Sequence, residues 1–229
     1  MFPFFKNIRI SIIWQGRLLM KVIEIDEWDR KEHYRFFKNF DYPHFNVCAN
    51  VELDHFMQYI RSKGYPFFGT FMYYVMCQTN QIREFRYRIR GEEVVEHDQL
   101  HPSFTVMGNN GLFVYCTVGF KESLTEFIAN LQYHMDRAKQ ESSLNSDAER
   151  DDLIYITSLP WVSFTSITHP IHMHPVDSIP RISWGKYFVE NGRLKLPISV
   201  QVHHGLADGV HVGRFLEELQ KTLIHPEKV

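Results

Sequence analysis

The residues best suited to chemistry lie in one stretch, SVQVHHGLADGVHVGRFLEEL, from Ser199 to Leu219. His203 and His204 stand side by side, and Asp208-Gly209 follow after Gly205-Leu206-Ala207. An imidazole titrates near neutrality and can accept or return a proton, while a nearby carboxylate can orient the ring or carry the opposite charge. Upstream the chain alternates. Leu194, Leu196, Ile198, Val200 and Val202 share one strand face, and Arg193, Lys195, Ser199, Gln201 and His203 share the other. If the strand stays regular, His204 joins the apolar face, where burial disfavours imidazolium and keeps the ring neutral, as a general base requires. A core histidine bonded to a backbone carbonyl satisfies the same pattern. Asp208 also has two readings: an acid–base partner, or the N-cap of a helix with the apolar stripe Val212, Phe215, Leu216, Leu219 and Leu223.

The elements that must position this turn are legible along the chain. Val22–Ile25 forms a short strand, and Asp26 caps a helix running to about Phe40. HFNVCANVEL reads as a strand. Leu53, Phe56, Met57 and Ile60 then fall at helical spacing, with Gly64 as the stop. Pro66 opens a second helix that is apolar nearly all round, hence buried on several sides. Residues 84–120 are β-rich, 123–140 helical, and 154–167 give one or two strands around Pro160. RISWGKYFVENGRLKLPISVQVHH is a hairpin about Asn191-Gly192, a dipeptide suited to a type I′ turn. The expected fold is α/β, a two-layer sandwich in which helices pack a mixed β-sheet.

Composition narrows the function classes. A net charge of −2 with 44% hydrophobic and 23% charged residues gives no basis for nucleic acid or anionic lipid as partner. The run REFRYRIRGEE interleaves arginines with aromatics, but its alternation and Arg90-Gly91-Glu92 turn fit a strand with one solvated side. Neither common Gly-rich phosphate loop is present. Cys48, Cys77 and Cys116 form no CxxC pair or disulfide framework, the usage of a reduced, cytoplasmic protein. The first residues are apolar but interrupted by Lys6, Arg9 and Arg17, so neither a signal peptide nor a membrane span is expected. Met20 restarts with the strand-like MKVIEIDEW. Residues 1–19 therefore read as a peripheral or spurious extension to a single domain over residues 20–229.

His203 to Gly209 matches HHxxxDG, the signature of coenzyme A-dependent acyltransferases, and its surroundings resemble the chloramphenicol acetyltransferase family. DEWDRKEHYRFF resembles that family's N-terminal segment and LPWVSFTS its central strand. HPSFTVM and KYF…LPISVQVHH fall in the same order, so the resemblance spans about Met20 to Gln220. It implies a homotrimer with active sites at subunit interfaces, acetyl-CoA as cosubstrate, no metal, and a small hydroxylated acceptor that attacks the thioester directly. His204 would be the base. Asp208 would pair with Arg30 to hold the turn, and Thr157 would supply the oxyanion donor, with Ser158 as fallback. Phe36, Phe37, Phe45, Phe113, Ile167, His169 and Ser183 match acceptor-pocket positions. Lys63, Tyr65, Trp161, Lys186 and Tyr187 match positions along the coenzyme A channel.

Departures concentrate in the acceptor pocket. Phe37 stands where the drug-modifying enzymes carry tyrosine, and Ile167 where they carry phenylalanine. His169 replaces an apolar residue in the loop THPIHMHPVDSIP. His169, His172 and His174 also raise the idea of a metal site, but no acidic or cysteine partner lies nearby in sequence. Two alternatives stay open: an acetyltransferase for an acceptor other than chloramphenicol, and a non-catalytic trimer that binds coenzyme A or another small ligand. A dihydrolipoyl acyltransferase core shares the turn, but no lipoyl-like segment or Ala-Pro-rich linker is read in this sequence, so that class is not expected.

Overall fold

The computed structural model describes residues 20–140 and 150–228. The segment expected to be a peripheral extension, residues 1–19, lies outside them. At the start of the described chain, β1 (Met20–Ile23) leads through a 3₁₀ turn into α1 (Lys31–Phe37). This is shorter than the helix expected from Asp26 to Phe40. Trp28 is extended (φ −84°, ψ 131°) and turns its ring against Tyr34 and Tyr87, which breaks the helix before it starts. β1 pairs with β4 (Glu93–His97), and β4 with β3 (Tyr87–Arg90), in a small antiparallel sheet. Ile23, Trp28, Tyr34, Tyr87, Val94 and Leu206 form its core, so the catalytic-type turn is anchored here through Leu206.

The main sheet is mixed and seven-stranded. It contains β2 (His44–Glu52), β5 (His101–Met107), β6 (Phe113–Thr117), β7 (Leu153–Leu159), β8 (Arg181–Gly185), β9 (Phe188–Glu190) and β10 (Arg193–His203). Its path is β2-β10-β8-β7-β5-β6, with β9 pairing beside β10. β7 runs parallel to both β5 and β8, and the other pairs are antiparallel. At the β9–β10 hairpin Asn191 (φ 52°) and Gly192 (φ 74°) both adopt positive φ, as a type I′ turn demands. Only one strand forms around Pro160: β7 stops at Leu159, and the chain then runs to Arg181 without joining the sheet.

Four helices cover one face of this sheet: α2 (Asp54–Lys63), α3 (Phe67–Gln81), α4 (Leu124–Ala138) and α5 (Gly209–Ile224). α3 is buried along most of its length, as its all-round apolar sequence requires. The apolar side of β10 (Leu196, Ile198, Val200, Val202) packs with Ile182 and Trp184 of β8 and with Phe71, Met72, Phe215 and Leu219 of the helices. Burying this many large side chains drives the fold, at roughly 1.5–3 kcal/mol each. It also makes the sheet a stiff platform.

The opposite face is polar, and it is buried too. Ser199, Gln201, His203 and Ser183 are each at most 2% exposed. The segment after β7 covers them. Asn46 Nδ2 donates to the Ile167 carbonyl, His169 N–H donates to Gln201 Oε1, and His44 Nε2 lies 2.7 Å from the Asp177 carbonyl. Buried polar groups must be hydrogen-bonded, which explains why this face is built from side chains that donate and accept.

Candidate active site

Strand parity alone misplaces the buried imidazole. β10 ends at His203, and His204 leaves the strand in the turn that follows, its N–H donating to the Pro43 carbonyl (2.7 Å). The deeply buried ring is His203, 2% exposed. Its Nδ1 accepts the Gly205 N–H (3.1 Å), and a Cβ added at Gly205 would lie 3.0 Å from the same ring, so the turn closes directly onto it. Burial, reinforced by the imidazoles of His44 and His204, pushes the His203 pKa down to about 3. His44 sits opposite His203 in register and edge-on to it, centroids 5.2 Å apart, and burial lowers its pKa as well.

This arrangement has a consequence for stability. An unfolded histidine titrates near 6.5, so between about pH 6.5 and 3 the unfolded chain binds a proton that folded His203 refuses. The His203 contribution is full above about pH 6.5 and is lost as the pH falls, by roughly 2 kcal/mol at pH 5. Thermal melts at pH 7.5 and 5.0 should show a lower Tm at pH 5.0, and the gap should narrow in His203→Asn. Equal gaps in the two proteins would refute this origin.

His204 is held differently. Its ring stacks flat on Phe37 (centroids 4.1 Å, interplanar angle 8°) and leans on Phe45 (4.6 Å, 47°). Nδ1 is buried without a hydrogen-bond partner, which leaves Nε2 as the nitrogen presented to a reactant. Phe36, 63% exposed, packs edge-on against Phe37 beyond the imidazole. Arg30 Nη1 lies 2.9 Å from Asp208 Oδ2, and its Nη2 reaches the His204 carbonyl at 3.5 Å. Asp208 also caps α5 by accepting the Val210 N–H (3.1 Å). This aspartate thus caps the helix and also pairs with Arg30. Burial alone would raise its carboxyl pKa. The Arg30 guanidinium, which hydrogen-bonds to it, together with the adjacent His211 ring, outweighs burial and holds the group below the usual carboxylate range.

Thr157 lies elsewhere on the sheet. It is opposite Ser183, which is opposite Ser199, whereas His204 follows five positions beyond Ser199. At ~3.3 Å per residue and ~4.8 Å per strand, Thr157 and His204 of one chain are about 17 Å apart along the strands and about 10 Å across them. Thr157 instead lines a pocket of about 530 Å³ with Phe113, His169, Ser103, Thr105, Tyr115, Tyr155, Asp177 and Arg181. His169 Nε2 lies 2.7 Å from Ser183 Oγ, and burial together with Arg181 lowers the His169 pKa.

The expected acceptor residues thus fall into two groups in one chain. Phe36, Phe37 and Phe45 surround His204; Phe113, His169 and Ser183 surround Thr157; and Ile167 lies between them, bonded to Asn46. The three histidines weighed as a metal site do not converge: His172 and His174 are exposed while His169 engages Ser183. Among the described residues no three His, Cys, Asp or Glu side chains are placed to hold a metal ion.

Two residues beyond Thr157, the end of β7 meets the residues expected for coenzyme A. Leu159 pairs with Gly185, Lys186 N–H donates to the Val162 carbonyl (2.8 Å), and Trp161 is 72% exposed. Tyr187 contacts Phe67 (6.1 Å), which opens α3 just after Lys63 and Tyr65. Sequence reasoning missed His44, Tyr155, Asp177 and Arg181. Pairing HFNVCANVEL with SVQVHH in antiparallel register would have exposed His44. Tyr155 and Arg181 meet only once β7 and β8 are aligned, and Asp177, in the segment before β8, is placed by its ion pair with Arg181.

With this geometry in place, comparison with known proteins identifies the family. The family model described as chloramphenicol acetyltransferase matches residues 18–220. The chain belongs to the chloramphenicol acetyltransferase family. It is an acyltransferase of that family, and its relatives are similar over nearly their full length. A chloramphenicol acetyltransferase of Clostridium perfringens is 30% identical over 205 residues, covering 87% of this chain and 93% of the relative. One of Proteus mirabilis is 28% identical over 222 residues, covering 90% and 95%. A solved structure of a chloramphenicol acetyltransferase superposes with a TM-score of 0.83 at 27% identity, covering 90% of this chain and all of that one. The fold extends further. The dihydrolipoamide acetyltransferase of Azotobacter vinelandii superposes with a TM-score of 0.64 at 18% identity, covering 99% of both chains. Among the described residues, no helix of this family member is long and apolar enough to cross a membrane.

Proposed function

We propose that this protein is an acetyl-CoA-dependent O-acetyltransferase of a small hydroxylated molecule, with chloramphenicol the first acceptor to test. The observation that carries this reading is the clamped presentation of His204: flat on Phe37, Nδ1 buried, its turn fixed by the Arg30–Asp208 pair. His204 Nε2 takes the proton from the acceptor hydroxyl as that oxygen bonds to the thioester carbonyl carbon. The Thr157 hydroxyl donates to the oxyanion that develops there. As the C–S bond breaks, the leaving sulfur receives the proton held on His204, and the acetyl ester and free thiol are the products.

Acetyl-CoA supplies an activated acetyl group as a thioester. Lys63 and Lys186 offer ammonium groups to its phosphates, and the exposed faces of Trp161 and Tyr187 offer surfaces for its apolar parts. Thr157 lies between this end of the sheet and the pocket that contains Phe113 and His169, which supports acetyl arriving from one side and acceptor from the other. The separation of Thr157 from His204 within one chain supports a homotrimer in which the partner subunit's Thr157 completes each site. Exposed Phe36 and Phe40 beside His204, and exposed Met107, Leu112 and Phe113 beside the pocket, are apolar surfaces suited to burial between subunits.

Thiol release measured with acetyl-CoA and a panel of hydroxylated acceptors tests the reaction. Thr157→Ala should lower kcat by about 10²–10³-fold, as for loss of one oxyanion donor, and Thr157→Ser should retain most of the activity. Co-expressed His204→Ala and Thr157→Ala chains, each nearly inactive alone, should recover activity in mixed assemblies. Without such recovery both residues would have to act within one chain, and the interface site would be wrong.

A further inference from the structure

The pocket beside Thr157 has a chemistry that the catalytic turn does not explain. Five hydroxyl-bearing residues line it: the Ser103 hydroxyl accepts from Thr117, while those of Thr105, Tyr115, Tyr155 and Thr157 have no hydrogen-bond partner among the described residues. Its fixed charges cancel. Arg181 forms an ion pair with Asp177, donates to the Ile179 carbonyl, and lies 5.2 Å from the centre of the Tyr155 ring. His169 adds an imidazole whose Nε2 engages Ser183, the residue directly opposite Thr157. Phe113 and Tyr115 meet edge to face (6.0 Å, 80°) on the same wall.

We propose that the acceptor is a neutral, hydroxyl-rich small molecule such as a sugar or polyol, and that His169 determines this specificity. The inference rests on the reading of Thr157 as the reacting end of the pocket. A paired Arg181 and Asp177 leave no net charge to recognise an anion or a cation. Multiple hydroxyls can satisfy Thr105, Tyr115 and Tyr155, which an apolar aryl group would desolvate without compensation. The aromatic wall takes the C–H face of a ring. A volume of about 530 Å³ accommodates a molecule of one to two such rings. A site built to hydrogen-bond its substrate rejects analogues that lack the groups far more strongly than an apolar pocket rejects an added hydroxyl. Here the His169 imidazole, by holding Ser183, fixes the direction of the hydroxyl next to Thr157.

The test compares wild type, His169→Leu and His169→Gln on methyl glycosides and polyols and on chloramphenicol, reading kcat and KM separately. Ligand-observed NMR on the same acceptors reads binding without turnover. Wild type should prefer a glycoside or polyol. His169→Leu should shift the kcat/KM ratio toward chloramphenicol by tenfold or more, mainly through KM, and His169→Gln should keep the wild-type order. Efficient turnover of chloramphenicol with a ratio unmoved in His169→Leu would overturn the specificity while leaving the acetyltransferase intact. Glycoside binding lost in His169→Leu, with no acetyl transfer to any acceptor, would support the pocket chemistry and overturn the enzymatic reading instead. Absence of both glycoside binding and glycoside turnover in wild type would overturn the inference.

Discussion

His204→Ala is expected to reduce acetyl transfer by about 10²–10⁴-fold, the range supplied by a positioned general base, while the protein stays folded. The side chain packs on Phe37 and Phe45 and makes no side-chain hydrogen bond that the fold depends on. Its removal takes away stacking area, a modest cost, so Tm should move little. The loss should fall on kcat, because Nε2 acts on a proton in flight and not on the bound ground state. His203→Ala should behave in the opposite way. That ring is buried, accepts the Gly205 N–H and packs against His44, so its loss should appear first in stability. Thiol-release kinetics and thermal melts on the two variants separate the roles of the adjacent histidines. A His204→Ala protein that retains wild-type kcat would eliminate this residue as the base.

Arg30→Ala should give the second large effect, on stability and kcat together. Removing one member of a buried ion pair costs roughly 3–5 kcal/mol, because the remaining charge is left unpaired. The side chains of Arg30 and Asp208 are 12% and 27% exposed, so water compensates part of that loss, and about 1–3 kcal/mol is expected here. The kinetic effect arises because Arg30 also reaches the His204 carbonyl and thereby holds the turn from which the imidazole projects. Arg30→Lys keeps the charge but not the fork that contacts both groups. It should recover stability more fully than kcat.

The pH dependence has a definite sign. The folded Asp208 carboxyl titrates below its unfolded value, so the pair stabilises the protein fully above about pH 4 and loses that contribution as the pH falls through the lowered value. The difference in Tm between wild type and Asp208→Asn should therefore be complete at pH 7 and shrink in more acidic solution. A difference that is flat from pH 7 to pH 3 would rule out the ion pair as its source. Capping by Asn remains possible, whereas the ion pair does not.

Several elements were legible because local physics determines them. The Leu53-Phe56-Met57-Ile60 stripe, the apolar run after Pro66 and the Asn191-Gly192 turn each formed where spacing and turn chemistry placed them. α1 was overextended because its length is set by Trp28 turning into a cluster with Tyr34 and Tyr87, partners distant in sequence. Parity along β10 named the wrong histidine as buried for a related reason. Parity holds only while a strand continues, and β10 ends where its partner β2 begins, at the His203–His44 pair.

By itself, the sequence determined the alternation that builds β10, the HHxxxDG turn that follows it, and the pairing of Asp208 with Arg30 through family resemblance. These depend on residue type and short spacing. Tertiary structure alone decided that the polar face of the sheet is buried, that His203 is the depressed imidazole and His204 the presented one, and that Thr157 and His204 lie far apart in one chain. It also decided that His169 bonds Ser183 beside a neutralised Arg181–Asp177 pair. Each of these depends on which strands become neighbours and on what covers them, and such contacts between distant segments carry no local signal.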